Sequence, residues 1–201
     1  MKFSLIYEGP LKSNGDAKHK QELRNEFDRQ LAILWQTPEL LNLRDYALGV
    51  KSASLVDAFE EALDIPGNPP KKVHPGWISQ VKGQFFLPIV TSKIALFAEL
   101  DIVWFRDQKP GQLLPKGDID NRLKTLFDAL QVPDENQMIA FSKETSQHAP
   151  FHTVLEDDAL ITRVGVETKR LLRNSNQNDV VLHIQVTTRV SNVTLENLNF
   201  V

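Results

Sequence analysis

Two apolar runs constrain this chain more than any other feature. Residues 85–90 and 93–105 are rich in Phe, Ile, Val and Leu, and only two residues separate them. Runs of this composition suit central positions in a sheet, where both faces are covered. They read as two strands joined by a tight turn. Phe3, Leu5 and Tyr7 alternate with lesser partners, so residues 2–8 read as a further strand. Residues 9–20 are loop-like, with Pro10, Asn14 and Gly15 as breakers. Leu23, Phe27, Leu31 and Leu34 keep one apolar stripe through residues 20–36, and Thr37-Pro38 ends that helix. A second helical stretch covers residues 54–63, with Leu55, Val56, Phe59 and Leu63 inward, and a Pro- and Gly-rich connector follows over 66–75.

Downstream, residues 108–117 form a polar loop and 118–131 the clearest helix. Residues 138–144 read as a short strand and 145–153 as an irregular loop around Pro150. Two last strands cover 159–172 and 179–190. A meander of strands with helices between them predicts an α+β fold with a mixed sheet and packed helices, in one domain over residues 1–201.

Composition excludes several classes. The chain has no cysteine, so disulfides and thiolate metal sites are impossible, and a reducing cytoplasm is its natural home. Any bound metal must use carboxylates, carbonyls or histidine. The early Glu8 and the short apolar runs argue against a signal peptide or a membrane span. The formal net charge of -3 weighs mildly against a dedicated nucleic-acid binder. Lys12, Lys18 and Lys20, then Lys71-Lys72, then Lys169-Arg170 with Arg173 form local basic clusters, each of which reads as a solvated surface.

The helix over 118–131 carries the chemistry. Ile119, Leu123, Leu126, Phe127 and Leu130 fall on an apolar stripe. Asp120, Lys124 and Asp128 stand four apart on the other side, with Asn121 beside them. Asp118 follows Gly117 and precedes the first apolar position, which suits an N-cap. Taken singly these are ordinary features: a cap, an i,i+4 ion pair and a solvated Asp128. A further acidic pair, Asp157-Asp158 after Glu156, opens an apolar strand, where Asp is normally depleted. If the two acidic ends meet, their repulsion must be offset, and a hard cation such as magnesium or manganese does so. Such a cation activates water and stabilises charge on a phosphate.

The run Gly117-Asp118-Ile119-Asp120-Asn121-Arg122-Leu123-Lys124-Thr125-Leu126-Phe127-Asp128-Ala129-Leu130, followed by Asp157-Asp158-Ala159, resembles the signature of the RusA-like Holliday junction resolvases. That signature is Asp-x-Asp-Asn, a Lys three residues on, then Asp-Ala-Leu, and later an Asp-Asp pair opening a strand. The loop Pro10-Leu11-Lys12-Ser13-Asn14 is weakly similar to the family's opening loop. The resemblance implies a RusA-like core over roughly residues 1–9 and 85–190, with a helical elaboration over roughly 20–80. It also implies a homodimeric, magnesium-dependent endonuclease acting on branched DNA in recombination and repair. Asp118, Asp120 and Asp158 would hold the metal, with Asp157 a less certain fourth ligand. Lys124 would be the lysine needed for cleavage, and Asn121 would support the site. The segments over 20–80 and 131–156 are longer than in compact members of the family. Two rivals stay open: a catalytically inactive fold of the same kind that binds protein or nucleic acid, and a nuclease for flaps or single-stranded ends.

His148 and His152 stand four apart, but Pro150 prevents a helix from aligning them for zinc. His152 reads as a loop residue, and Trp77, near Lys71-Lys72-Val73-His74, as tucked into the core.

Overall fold

The computed structural model describes residues 1–48, 76–107, 119–141, 150–172 and 179–200. The fold is α+β. Its strands are β1 (Lys2–Pro10), β2 (Ser79–Val81), β3 (Gln84–Val90), β4 (Leu96–Arg106), β5 (Phe151–Leu155), β6 (Ile161–Arg170) and β7 (Asp179–Val190). Among the described residues its helices are α1 (Ala17–Leu34), α2 (Pro38–Ala47) and α3 (Ile119–Leu130).

The strands form two sheets, not one meander. A four-stranded mixed sheet has the order β1-β7-β4-β6, and a three-stranded sheet the order β2-β3-β5. β7 is antiparallel to both β1 and β4, whereas β6 runs parallel to β4. β3 and β4 are central, as their composition requires, but each in its own sheet. A tight turn does join them, but they do not pair with each other. A 3-10 turn over Ser92–Ile94 ends in Ala95 with φ of 57°, and this left-handed residue redirects the chain into the other sheet.

The same corner is built a second time. β5 leads through a 3-10 turn at Asp158–Leu160 into β6. β3 pairs with β5 in parallel and β4 pairs with β6 in parallel, so the two strand–turn–strand units run side by side. Glu156 joins their corners. Its Oε2 accepts from Thr91 Oγ1 at 2.6 Å, from Ser92 N at 3.0 Å and from Ser92 Oγ at 3.0 Å. One acid of the Glu156-Asp157-Asp158 run is therefore a structural clamp.

α1 begins at Ala17, earlier than expected, because Asp16 caps it by accepting from His19 N at 2.8 Å. Leu23, Phe27 and Leu31 are buried in the core that also takes Leu5, Leu100, Leu126 and Ile184. α1 also shields the free edge of β1. Gln30 Oε1 accepts from Ile6 N at 2.9 Å and Gln30 Nε2 donates to Ile6 O at 2.7 Å, satisfying the edge backbone groups. Pro38 opens α2 instead of only closing α1; a proline fits the first helical position, whose N–H has no partner anyway.

Other expectations shift in the second half. Residues 137–140 form a 3-10 turn, not a strand, and strand β5 lies in part of the expected loop. The helical stretch over 54–63, the connector over 66–75 and the loop over 108–117 lie outside the described residues. Trp77 is fully buried, and its Nε1 donates to Pro88 O at 3.1 Å. Among the described residues, no helix is long and apolar enough to cross a membrane.

Candidate metal centre

α3 buries Arg122, Thr125, Leu126, Ala129 and Leu130, so its core face is rotated from the simplest reading of the stripe. Ile119 stays 38% exposed. Asp120 and Lys124 are exposed, and Asn121 is half-buried. At 100° per residue, Asp120, Lys124 and Gln131 share one face of the helix. Asp118 and Gly117 lie outside the described residues.

The expected ion pairs are arranged differently. Asp120 and Lys124 form no ion pair with each other among the described residues. Asp128 is not merely solvated: its carboxylate takes Lys20 Nζ at 2.7 Å, which ties α3 to α1. Arg24 of α1, almost fully buried, donates to Asp128 O and to Gln137 Oε1. Burial is the first cause that lowers its guanidinium to about 10, against the attraction of Asp128 and Asp134.

The other acidic end is held close to this helix. Gln131 Oε1 accepts the backbone N–H of Asp158 at 2.7 Å. Gln131 also forms a parallel bridge to Leu155, and Val132 N donates to Leu155 O at 3.0 Å. The Asp157–Asp158 turn is thus tethered on the helical face that carries Asp120 and Lys124. Asp157 has a local task, since its carboxylate accepts from Ala159 N at 2.8 Å and caps the 3-10 turn. The Asp158 side chain is exposed.

The tether stands at the C-terminal end of α3. From Asp120 to Leu130 the helix advances roughly 15 Å, with Lys124 between. Among the described residues, no three His, Asp or Glu side chains are gathered closely enough to hold an ion. The donor chemistry itself, exposed carboxylates without thiolate or imidazole, suits a hard, oxygen-seeking cation.

The loop between β1 and α1 packs against the buried side of the same helix. Gly15 N donates to Thr125 Oγ1 at 3.0 Å, and Arg122 Nη1 donates to Leu11 O. A Cβ on Gly15 would stand 2.7 Å from Thr125 Cγ2, so the close approach requires glycine. Lys12 N donates to His19 Nε2 at 3.2 Å, which fixes the loop's other side.

His152 is not beside the acids. Its ring Nδ1 and its backbone N both contact Asp28 Oδ1 of α1, at 2.8 and 2.7 Å. His148 lies outside the described residues. Sequence reasoning missed Arg106 and Arg122, because nothing in the local pattern marks either guanidinium as buried; they are 7% and 5% exposed. Compared with known proteins, the chain matches no family model and no curated protein.

Proposed function

We propose that this chain is a divalent-metal-dependent endonuclease that cleaves phosphodiesters in branched DNA, in the manner of the RusA-like resolvases it resembles. The observation that carries the reading is the bond from Asp158 N to Gln131 Oε1, which holds the second acidic element on the helical face bearing Asp120 and Lys124. Asp118, Asp120 and Asp158 would be the ligands of magnesium or manganese, with Asp157 contributing less because its carboxylate is engaged in the turn. When bound, the metal supplies an activated water and neutralises charge on the phosphate. Lys124, exposed and without a carboxylate partner among the described residues, offers its ammonium to a phosphate oxygen. Asn121, half-buried beside it, supports the site from the first turn of α3. A four-way junction has two-fold symmetry, which a symmetric homodimer would match.

The test is incubation of the purified protein with four-way junction DNA and magnesium. Cleavage by the wild type and its loss in Asp120→Asn are expected. No cleavage by the wild type, or full activity in the variant, would sink the reading. The separation of Asp120 and Asp158 along α3 favours a second reading, a non-catalytic module on the same fold. It predicts junction binding without cleavage and a melting temperature that does not respond to magnesium or manganese.

A further inference from the structure

The four-stranded sheet has two edge strands, and they differ. At β1 the Gln30 side chain covers the backbone of Ile6. β6 is the other edge in the order β1-β7-β4-β6, and among the described residues no strand pairs with its outer side. β6 is ten residues long, contains no proline and keeps an unbroken register with β4 from Arg163 to Arg170. Most of its residues are exposed, including Val164 at 40%. An uncovered edge of this length is a template for a further strand.

The sequence of β6 is complementary to itself around Gly165. Moving outward from that glycine, Val164 matches Val166, Arg163 faces Glu167 with opposite charge, and Thr162 matches Thr168. Two antiparallel copies related by a two-fold axis at Gly165 set each residue opposite its counterpart. The faces agree as well. Arg163, Gly165 and Glu167 stand in register with Glu99, Asp101 and Val103, on the side of β4 that turns away from the core. Val164, Val166 and Thr168 stand in register with the core-facing Leu100, Ile102 and Trp104. An axis perpendicular to the sheet keeps both sides matched, so the charges meet on the open face and the valines on the core side.

Other registers lose this match. A shift by two residues puts Arg163 opposite Lys169 in one direction and opposite Gly165 in the other. A shift by one turns the open faces of the two copies to opposite sides. The glycine also keeps the strand centre low. A Cβ on Gly165 would stand 2.7 Å from Asp101 Oδ1, where the Asp101 carboxylate accepts from Arg163 at 2.9 and 2.6 Å. Arg163 is half-exposed, and its contacts with Asp101 and Glu99 leave guanidinium N–H groups over for a third carboxylate. Glu167 is exposed, with Lys169 of its own strand at 3.2 Å.

We propose that the outer edge of β6 is an interface for a second copy of this chain, paired antiparallel about a two-fold axis at Gly165. Two four-stranded sheets then join into one of eight strands. Arg163 of each copy faces Glu167 of the other, and Val164 packs on Val166. The interface follows from the edge and its sequence alone and does not depend on the nuclease reading. A closed two-fold pairing also removes the exposed edge from further strand addition.

The test is the mass of the full chain in solution, by sedimentation equilibrium at micromolar concentrations. The wild type is expected to be a dimer, and a monomer overturns the proposal. Glu167→Arg sets like charges opposite each other twice and should weaken the dimer by about tenfold or more. An unchanged dimer in that variant overturns the assignment to β6. Because the chain has no cysteine, a cross-link reads the register directly. Val164→Cys and Val166→Cys proteins, mixed and oxidised, should form a disulfide-linked dimer faster than either protein alone. No link in the mixture, or equal linking in each protein alone, overturns the register. A dimer that fails to cleave junction DNA with magnesium counts against the nuclease reading and leaves this interface standing.

Discussion

Gln131 Oε1 receives the backbone N–H of Asp158 at 2.7 Å, and through this bond a helix end and a strand entry share one surface. The bond is exposed, so its net contribution to stability is about 1 kcal/mol. Its contribution to geometry is larger, since it orients the turn that presents Asp158. Gln131→Ala is expected to lower magnesium-dependent cleavage by about tenfold or more, a barrier change of about 1.4 kcal/mol. Thermal melting should move by only a few degrees. Junction cleavage rates beside a melting curve check this, and unchanged cleavage would remove Gln131 from the site.

Lys124 separates function from folding even more cleanly. It is exposed and has no ion-pair partner among the described residues. Lys124→Ala should therefore change stability by no more than about 0.5 kcal/mol. Loss of a charge aimed at the phosphate should lower the cleavage rate by about a hundredfold or more. Single-turnover cleavage at saturating protein reads the second effect apart from DNA binding.

Glu156 is expected to behave in the opposite way. Burial raises its carboxyl, but the bonds from Thr91 and Ser92 outweigh this and hold it below the usual carboxylate range. Glu156→Ala removes a charged acceptor from three donors at once. A loss of about 2 to 3 kcal/mol in unfolding free energy follows. Denaturant titration measures it, and a loss below about 0.5 kcal/mol would show that the clamp is dispensable.

His19 makes stability depend on pH in a defined window. Burial is the main cause that lowers its folded-state affinity for a proton, with Glu22 opposing. Because Nε2 accepts from Lys12 N, the ring is neutral with its proton on Nδ1. The unfolded chain takes up a proton near pH 6.5, before the folded protein does. Stability therefore falls as pH drops below about 6.5 and levels once the folded imidazole is also charged. The carboxylates with lowered values, Asp16, Glu99, Asp101 and Glu156, lose their contribution further down, below about pH 4 to 5. His19→Gln keeps an acceptor for Lys12 N but does not titrate. The drop in melting temperature between pH 7.5 and 5.5 should be smaller in that variant.

Particular residues show why some of this was legible in sequence. The spacing of Leu23, Phe27 and Leu31 fixes a helix and its face, and α1 buries all three. The alternation in residues 2–8 likewise becomes β1. The Thr91–Ala95 corner was not legible, because a tight turn between apolar strands looks the same whether the strands pair or part. Only the left-handed Ala95 decides it, and alanine carries no local signal for that conformation. β5 was hidden by its shortness and by Pro150 before it. On α3, the spacing identified the exposed face of Asp120 and Lys124, but the partner of Asp128 depended on Lys20, more than a hundred residues away in the chain. No local pattern reports such a contact. The burial of Arg106 was illegible for the same reason, since it follows from register with β7 and β6.

The doubled strand–turn–strand corner bears on how the chain finds its fold. Lys2 pairs with Thr187, Phe86 with Phe151, and Ala98 with Ile161, so each of these ladders closes a long loop before it gains a bond. Among the described residues, only the β2–β3 hairpin, turning through Lys82 and Gly83 with φ of 46° and 84°, is local among the strand pairs. Refolding is therefore expected on the slow side for a chain of this size, in milliseconds to seconds. Since Glu156 joins both corners, the two parallel ladders should lock in one step, and the surface that presents Asp158 should appear only then.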